Sequence, residues 1–219
     1  MINEGKNHLT RTWIRTGIVC GLAALPVYPL LIFVDLPDIL LVVLASFFGP
    51  LLAMSSIGLY FFISLHRRSV AVQTAALSNI IAGVTVNLMM IVQLSVNLWM
   101  KRSPESVIGG PSRQILEDAH KVVDKVQLGL DISWDFFIGV GTVLFALAMM
   151  SHPKLGRILG WAGLVVGLAI LVANFMTFPI PPAESGLFDL GPVMGLWYLA
   201  VGIKLLFSLK WVNERTNTQ

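Results

Sequence analysis

The sequence predicts an all-α polytopic membrane protein: a bundle of six transmembrane helices with one amphipathic extracytoplasmic helix. Three observations predict it. Hydrophobic residues make up 56% of the 219 and charged residues 12%, about half the charge of an ordinary soluble domain. Mean hydropathy is +0.79. The apolar residues also fall in six continuous runs, each longer than the roughly 20 that a helix needs to cross a bilayer. Continuous apolarity reads as helix, where a barrel strand would alternate. A helix also closes its backbone hydrogen bonds within the span. This composition excludes a disordered chain. The single cysteine, Cys20, excludes a disulfide scaffold. Scattered basic residues and a net charge of +3 exclude a nucleic-acid partner.

The whole chain, 1–219, reads as one membrane domain. The first span, 13–34, holds Pro26 and Pro29, and no A-x-A-like site follows it, so it reads as a retained helix rather than a cleaved signal. The second, 39–65, carries Gly49-Pro50, which together with Pro26 and Pro29 predicts kinks. The third, 70–100, exceeds one crossing. A connection at 101–127 follows, punctuated by Pro104, Gly109, Gly110 and Pro111. Within it Ile115, Ala119, Val122 and Val126 recur at spacings of four, three and four, which puts them on one helical face. That predicts an amphipathic helix lying on the outer membrane surface or on the bundle, or serving as a lid. The fourth span is 130–150, the fifth 158–178 and the sixth 190–211. Phe178-Pro179-Ile180-Pro181-Pro182 makes the last outer turn stiff and extended, as a rigid connector or a cavity lip. Trp13, Trp99, Trp134, Trp161 and Trp211 lie near span ends, as an aromatic belt would. Trp197 lies inside the sixth span and reads as packing or cavity lining.

Basic residues orient the bundle. Lys6, Arg11, Arg15, Arg67, Arg68, Lys154, Arg157, Lys210 and Arg215 fall on one side, against Lys101, Arg102, Arg113, Lys121 and Lys125 in the long connection opposite, and the short connections decide. The short connections opposite carry the acids Asp35, Asp38, Glu184 and Asp189 instead. Both termini are therefore expected in the cytoplasm, with the protein multi-pass in a bacterial-type inner membrane.

An acidic or basic residue at a span centre costs about 2.5–3.5 kcal/mol on insertion scales, so each invites a functional reading. Asp131 and Asp135 open the fourth span on one helical face. They read as a cation- or proton-linked pair, or as water-exposed acids suited to a helix N-terminus. Asn79, Asn87, Gln93 and Asn97 follow a helical stripe along the third span. That stripe is interhelical glue or the wall of a polar cavity. Asn174, late in the fifth span, lies at the depth of Asp135. The candidate ligand-binding set is therefore Asn87, Gln93, Asn97, Asp131, Asp135 and Asn174, in the outer half of the bundle. Lys204 can snorkel to the interface. Gly156, Gly160, Gly163 and Gly167 form a smooth face for close packing, within the bundle or against a second copy or another subunit.

Walker A, dinucleotide, HExxH and GxSxG motifs are absent. His8, His66, His120 and His152 are far apart; His66 and His152 can meet on the cytoplasmic face, but two ligands are too few for a metal centre. No cofactor, metal site or catalytic residue is assigned.

The run 130–137, the segment Ser151-His152-Pro153-Lys154-Leu155-Gly156-Arg157, and the turn from Pro181-Pro182 to Gly191-Pro192 resemble small bacterial six-helix membrane proteins known as a domain of unknown function. The resemblance covers about 128–211 and implies the topology, without an activity. Three functional expectations follow. The first is a protein of the lipid bilayer that binds or moves a small or lipidic molecule through the outer-half site. The second is a non-catalytic accessory subunit. The third is an intramembrane enzyme using Asp131 and Asp135.

Overall fold

The structure, a computed structural model, describes residues 2–102 and 111–217. Every regular element among them is an α-helix: α1 (Ile2–Phe33), α2 (Asp38–Ser64), α3 (Val70–Arg102), α4 (Pro111–Met149), α5 (Gly156–Thr177), α6 (Gly191–Phe207) and α7 (Leu209–Asn217). Five of the helices contain segments long and apolar enough to cross a membrane, and α6 with α7 makes a sixth segment bent by 55°. Large apolar side chains point outward around the bundle; Ile158, Phe33 and Phe207 are 82% or more exposed. Such a surface suits lipid rather than water. The protein is a polytopic all-α membrane protein.

The helices pack as sequential neighbours from α1 to α5, and α6 closes the bundle between α5 and α1. Lipid is as apolar as leucine, so close packing and interhelical hydrogen bonds hold this bundle together. Small residues let backbones approach. The Cα of Gly58 lies 2.5 Å from where a Cβ on Gly17 would sit. The core toward the chain ends is filled by Ile14, Phe62, Phe145 and Met149, each fully buried. Toward the opposite end, Ala24, Val27, Phe48 and Val86 form a second cluster.

Local signals set the ends. Ser69 Oγ accepts the Val72 N–H at 3.3 Å and caps the start of α3. Asp189 Oδ1 accepts the Gly191 N–H at 2.8 Å from just before Leu190, the residue that leads into α6. Gly156 begins α5 at φ +77°, a conformation L side chains rarely adopt. α1 and α2 stay helical through Pro26, Pro29 and Pro50, as neighbouring helices allow in a membrane.

Two expectations are corrected. The amphipathic stretch is not a separate surface helix: it is continuous with the fourth span in the 39-residue α4, about 58 Å long at 1.5 Å per residue. Gly129, the weakest helix former at the junction, is exposed and meets nothing within 4 Å, so the helix passes through it. Ile115, Val122 and Val126 lie exposed on this extension. The 103–110 stretch, with Pro104, Gly109 and Gly110, lies outside the described residues. The sixth span also breaks early. Ser208 Oγ bonds back to Lys204 O at 2.7 Å, and its N–H bonds to Leu205 O at 2.9 Å, which tightens the last turn of α6. α7 then turns aside onto α1. There Asn7 Nδ2 donates to Thr216 O at 2.6 Å, and Arg11 donates to Thr216 Oγ1 and Asn217 Oδ1. Both described chain ends therefore share one side of the bundle.

Candidate functional site

The inward face of α4 reads Asp131, Asp135, Ile138, Thr142, Phe145, Met149, at alternating spacings of four and three. Its far end, away from the chain ends, is acidic. Asp135 is 8% exposed, and its Oδ2 accepts from Asn174 Nδ2 at 2.8 Å. The same nitrogen donates to Ile170 O at 2.9 Å, one turn back on α5. Asn174 is 5% exposed, and its Oδ1 has no hydrogen-bond partner. The depth match between Asp135 and Asn174 in the sequence is thus a direct contact.

Asp135 opens onto a cavity of about 80 Å³. Asp131, Trp134 and Asp135 line it from α4, Tyr28 from α1 and Ile170 from α5. The α5–α6 connection supplies Pro181, Pro182 and Asp189. Both prolines are buried, so the stiff connector is also the lip of a cavity. Among the described residues that line it there is no Lys, Arg or His. All three aspartates bear electrostatically on the Tyr28 hydroxyl. Trp134 Nε1 is buried without an acceptor. No three His, Cys, Asp or Glu groups among the described residues converge to hold a metal ion.

The third-span amides do not join this cavity. Asn87 faces α2, where its amide nitrogen, placed toward the carbonyls, donates to Ala45 O at 2.9 Å and Ser46 O at 3.0 Å. Gln93 and Asn97 are exposed. The reason is helical geometry. At 100° per residue Asn87 and Gln93 diverge by about 120°, and Asn97 shares the azimuth of Asn79 only about 27 Å further along the axis. The stripe thus spreads over more than one face of α3, while the end of α3 still meets the start of α2 through Lys101 and Arg102 on Asp38.

Asn79 instead builds a second polar cluster, deep in the bundle. Its Nδ2 donates to Tyr198 Oη at 2.6 Å, and Tyr198 Oη bonds Thr142 Oγ1 at 2.9 Å. Thr142 also reaches Met194 Sδ at 3.3 Å. α3, α4 and α6 are thus tied at one point, with Gly141 giving Asn79 room to approach. Below it the fully buried Phe145 and Met149 present only apolar side chains.

Three of the four span-five glycines find their neighbours inside the chain, while a Cβ on Gly156 would meet nothing within 4 Å. Gly160 faces Met150 and Ala146, Gly163 faces the Trp197 indole, and Gly167 faces Val143 and Gly139. Trp197 is packing, anchored through Nε1 to Leu159 O at 2.9 Å. Lys204 is exposed near the end of α6.

His66 and His152 do meet on the side of the chain ends, with ring centroids 5.3 Å apart. His152 is 2% exposed between Phe62 and Trp211. Its Nδ1 accepts backbone N–H groups of Lys154 at 3.2 Å and Leu155 at 3.4 Å, which leaves the ring proton on Nε2. Burial, helped by the neighbouring His66 and Arg215, lowers its pKa to about 4 against a weak opposing pull from the Phe62 carbonyl. It is neutral at physiological pH.

A family model for a domain of unknown function, DUF4386, matches residues 37–212. The chain belongs to this family. The match takes in α2 to α6 and the start of α7, well beyond the 128–211 region where the sequence resemblance lay. Neither the curated proteins nor the solved structures gave a match to the chain.

The signals missed in the sequence were Tyr28, Trp134 and Asp189. Asp189 stood out only as an outer-loop acid, Trp134 as a belt residue, and Tyr28 had no partner in its own span to mark it. All three reach the cavity by tertiary packing.

Proposed function

We propose that this DUF4386 protein binds a small cation in the acidic cavity between α1, α4 and the α5–α6 connection. The carrying observation is Asp135: a buried carboxylate with one amide donor, beside two further aspartates, with no basic residue among the described lining. An ionised carboxylate taken out of water loses several kcal/mol of hydration unless a counter-charge replaces it. A bound cation supplies that charge. The cavity's size favours a small occupant over a lipid tail. The distribution of Lys and Arg supports cytoplasmic termini in an inner membrane, and hence a cavity that opens outward.

Native mass spectrometry on protein extracted gently from its membrane tests this reading. A reproducible small-molecule adduct is expected, lost in Asp135→Asn while the protein stays folded. Protein that flies bare, or an adduct that survives Asp135→Asn, would refute it.

A further inference from the structure

Resting on the cation-binding reading above, we propose that the occupant is a small organic ammonium ion, a protonated amine with a body of a few heavy atoms, rather than a bare metal cation. Three features of the cavity point the same way. A bare calcium or magnesium ion needs about six or more oxygens converging at 2.0–2.6 Å. Here Asp131, Asp135 and Asp189 line the walls without gathering into a metal-holding group. An ammonium group reaches separated acceptors through directed N–H bonds of about 2.7–2.9 Å. The second feature is the wall itself. Tyr28 and Trp134 place two aromatic rings on a cavity with three carboxylates, and Ile170, Leu190 and the two prolines complete an apolar surface. Aromatic faces attract organic cations, and apolar walls accept the carbon body that a bare ion lacks. The third is size. About 80 Å³ exceeds by several-fold the 10–15 Å³ that one water requires. A bare ion would leave most of it to solvent, whereas several heavy atoms fill it. Behind this wall Asn174, 5% exposed, donates from Nδ2 to Asp135 Oδ2 at 2.8 Å and fixes that carboxylate in place.

The test is thermal unfolding and titration calorimetry on the full chain in detergent at pH 7 and constant ionic strength. The probes are ethylammonium and ethanolammonium chloride, against sodium, potassium, magnesium and calcium chlorides, with ethylene glycol as the neutral control. The expected result is saturable stabilisation by the ammonium ions, with heat of binding, and none by ethylene glycol. Asp135→Asn should weaken ammonium binding tenfold or more. Trp134→Leu should weaken it several-fold. Asp131→Asn is the second carboxylate variant should Asp135→Asn fail to fold, with the same tenfold expectation. Stabilisation by a metal cation alone, lost in the carboxylate variants, overturns the ammonium assignment and leaves the cation-binding reading standing. If no cation binds, or ethylene glycol binds as well as the ammonium ions do, both fall.

Discussion

Tyr198→Phe removes one oxygen from the centre of the bundle, and its cost can be worked from the contacts it makes. That oxygen accepts from Asn79 Nδ2 at 2.6 Å and bonds Thr142 Oγ1 at 2.9 Å. Asn79 is 3% exposed, and its Oδ1 already has no partner. The substitution therefore strands the whole amide, while Thr142 keeps its contact with Met194 Sδ. Interhelical hydrogen bonds in membrane bundles average about 0.6 kcal/mol each, so two are worth roughly 1 kcal/mol. A buried donor left unsatisfied adds a cost at the lower end of about 1–3 kcal/mol. The expected loss is about 2 kcal/mol, read by reversible SDS titration in mixed micelles. Asn79→Leu removes the stranded group, so the double variant should cost about 1 kcal/mol less than the sum of the singles. A Tyr198→Phe loss below about 0.3 kcal/mol, or strict additivity with Asn79→Leu, would refute the network as a tie between α3, α4 and α6.

Two further outcomes are expected. His152 has a folded pKa of about 4, against 6.5 for the unperturbed side chain. The unfolded chain thus takes up its proton first as pH falls. Stability from this group is intact above about pH 7, declines between 6.5 and 4, and levels off below, an upper limit of roughly 3 kcal/mol in all. The same titration at stepped pH should show this slope, and His152→Gln should flatten it; an unchanged slope in the variant would refute the assignment. The orientation is checked in a Cys20→Ser background with Ser185→Cys and Lys210→Cys. A membrane-impermeant maleimide on intact cells should label the first and spare the second; the reverse pattern inverts the topology.

The sequence carried depth well and azimuth poorly. Span ends followed from hydropathy, so the level shared by Asp135 and Asn174 was legible, and their contact follows from α4 and α5 lying side by side. The direction of a side chain depends on which helix stands beside it. Asn79 and Asn87 sit on one spaced stripe yet turn to different neighbours, one to Tyr198 and the other to the α2 carbonyls. The periodic apolar face from Ile115 to Val126 was legible as a helix, but its continuity with α4 was not. A charged, polar stretch ahead of the apolar run reads as a connection when hydropathy is the only guide. The cavity wall was the hardest part. Tyr28 and Asp189 are distant in the chain and meet only because α6 closes the bundle against α1.

The glycine contacts determine how this chain can vary. An added Cβ at Gly17 meets the Gly58 Cα at 2.5 Å, at Gly58 the Gly17 Cα at 2.6 Å, and at Gly83 the Gly49 carbonyl at 2.8 Å. In each case the obstacle is backbone, which cannot swing aside as a side chain can. The positions least able to accept any other residue are therefore these packed glycines. They run as seams between α1 and α2 and between α2 and α3, whereas between α4 and α5 Gly167 meets the Val143 side chain first, at 2.9 Å. Lipid-facing positions such as Phe33 and Ile158 can exchange one apolar residue for another freely. A saturating mutational screen would accordingly light up the glycine seams before the aspartates. Hits there report failed assembly, so lost function has to be normalised to the amount of folded protein in the membrane before the cavity can be seen.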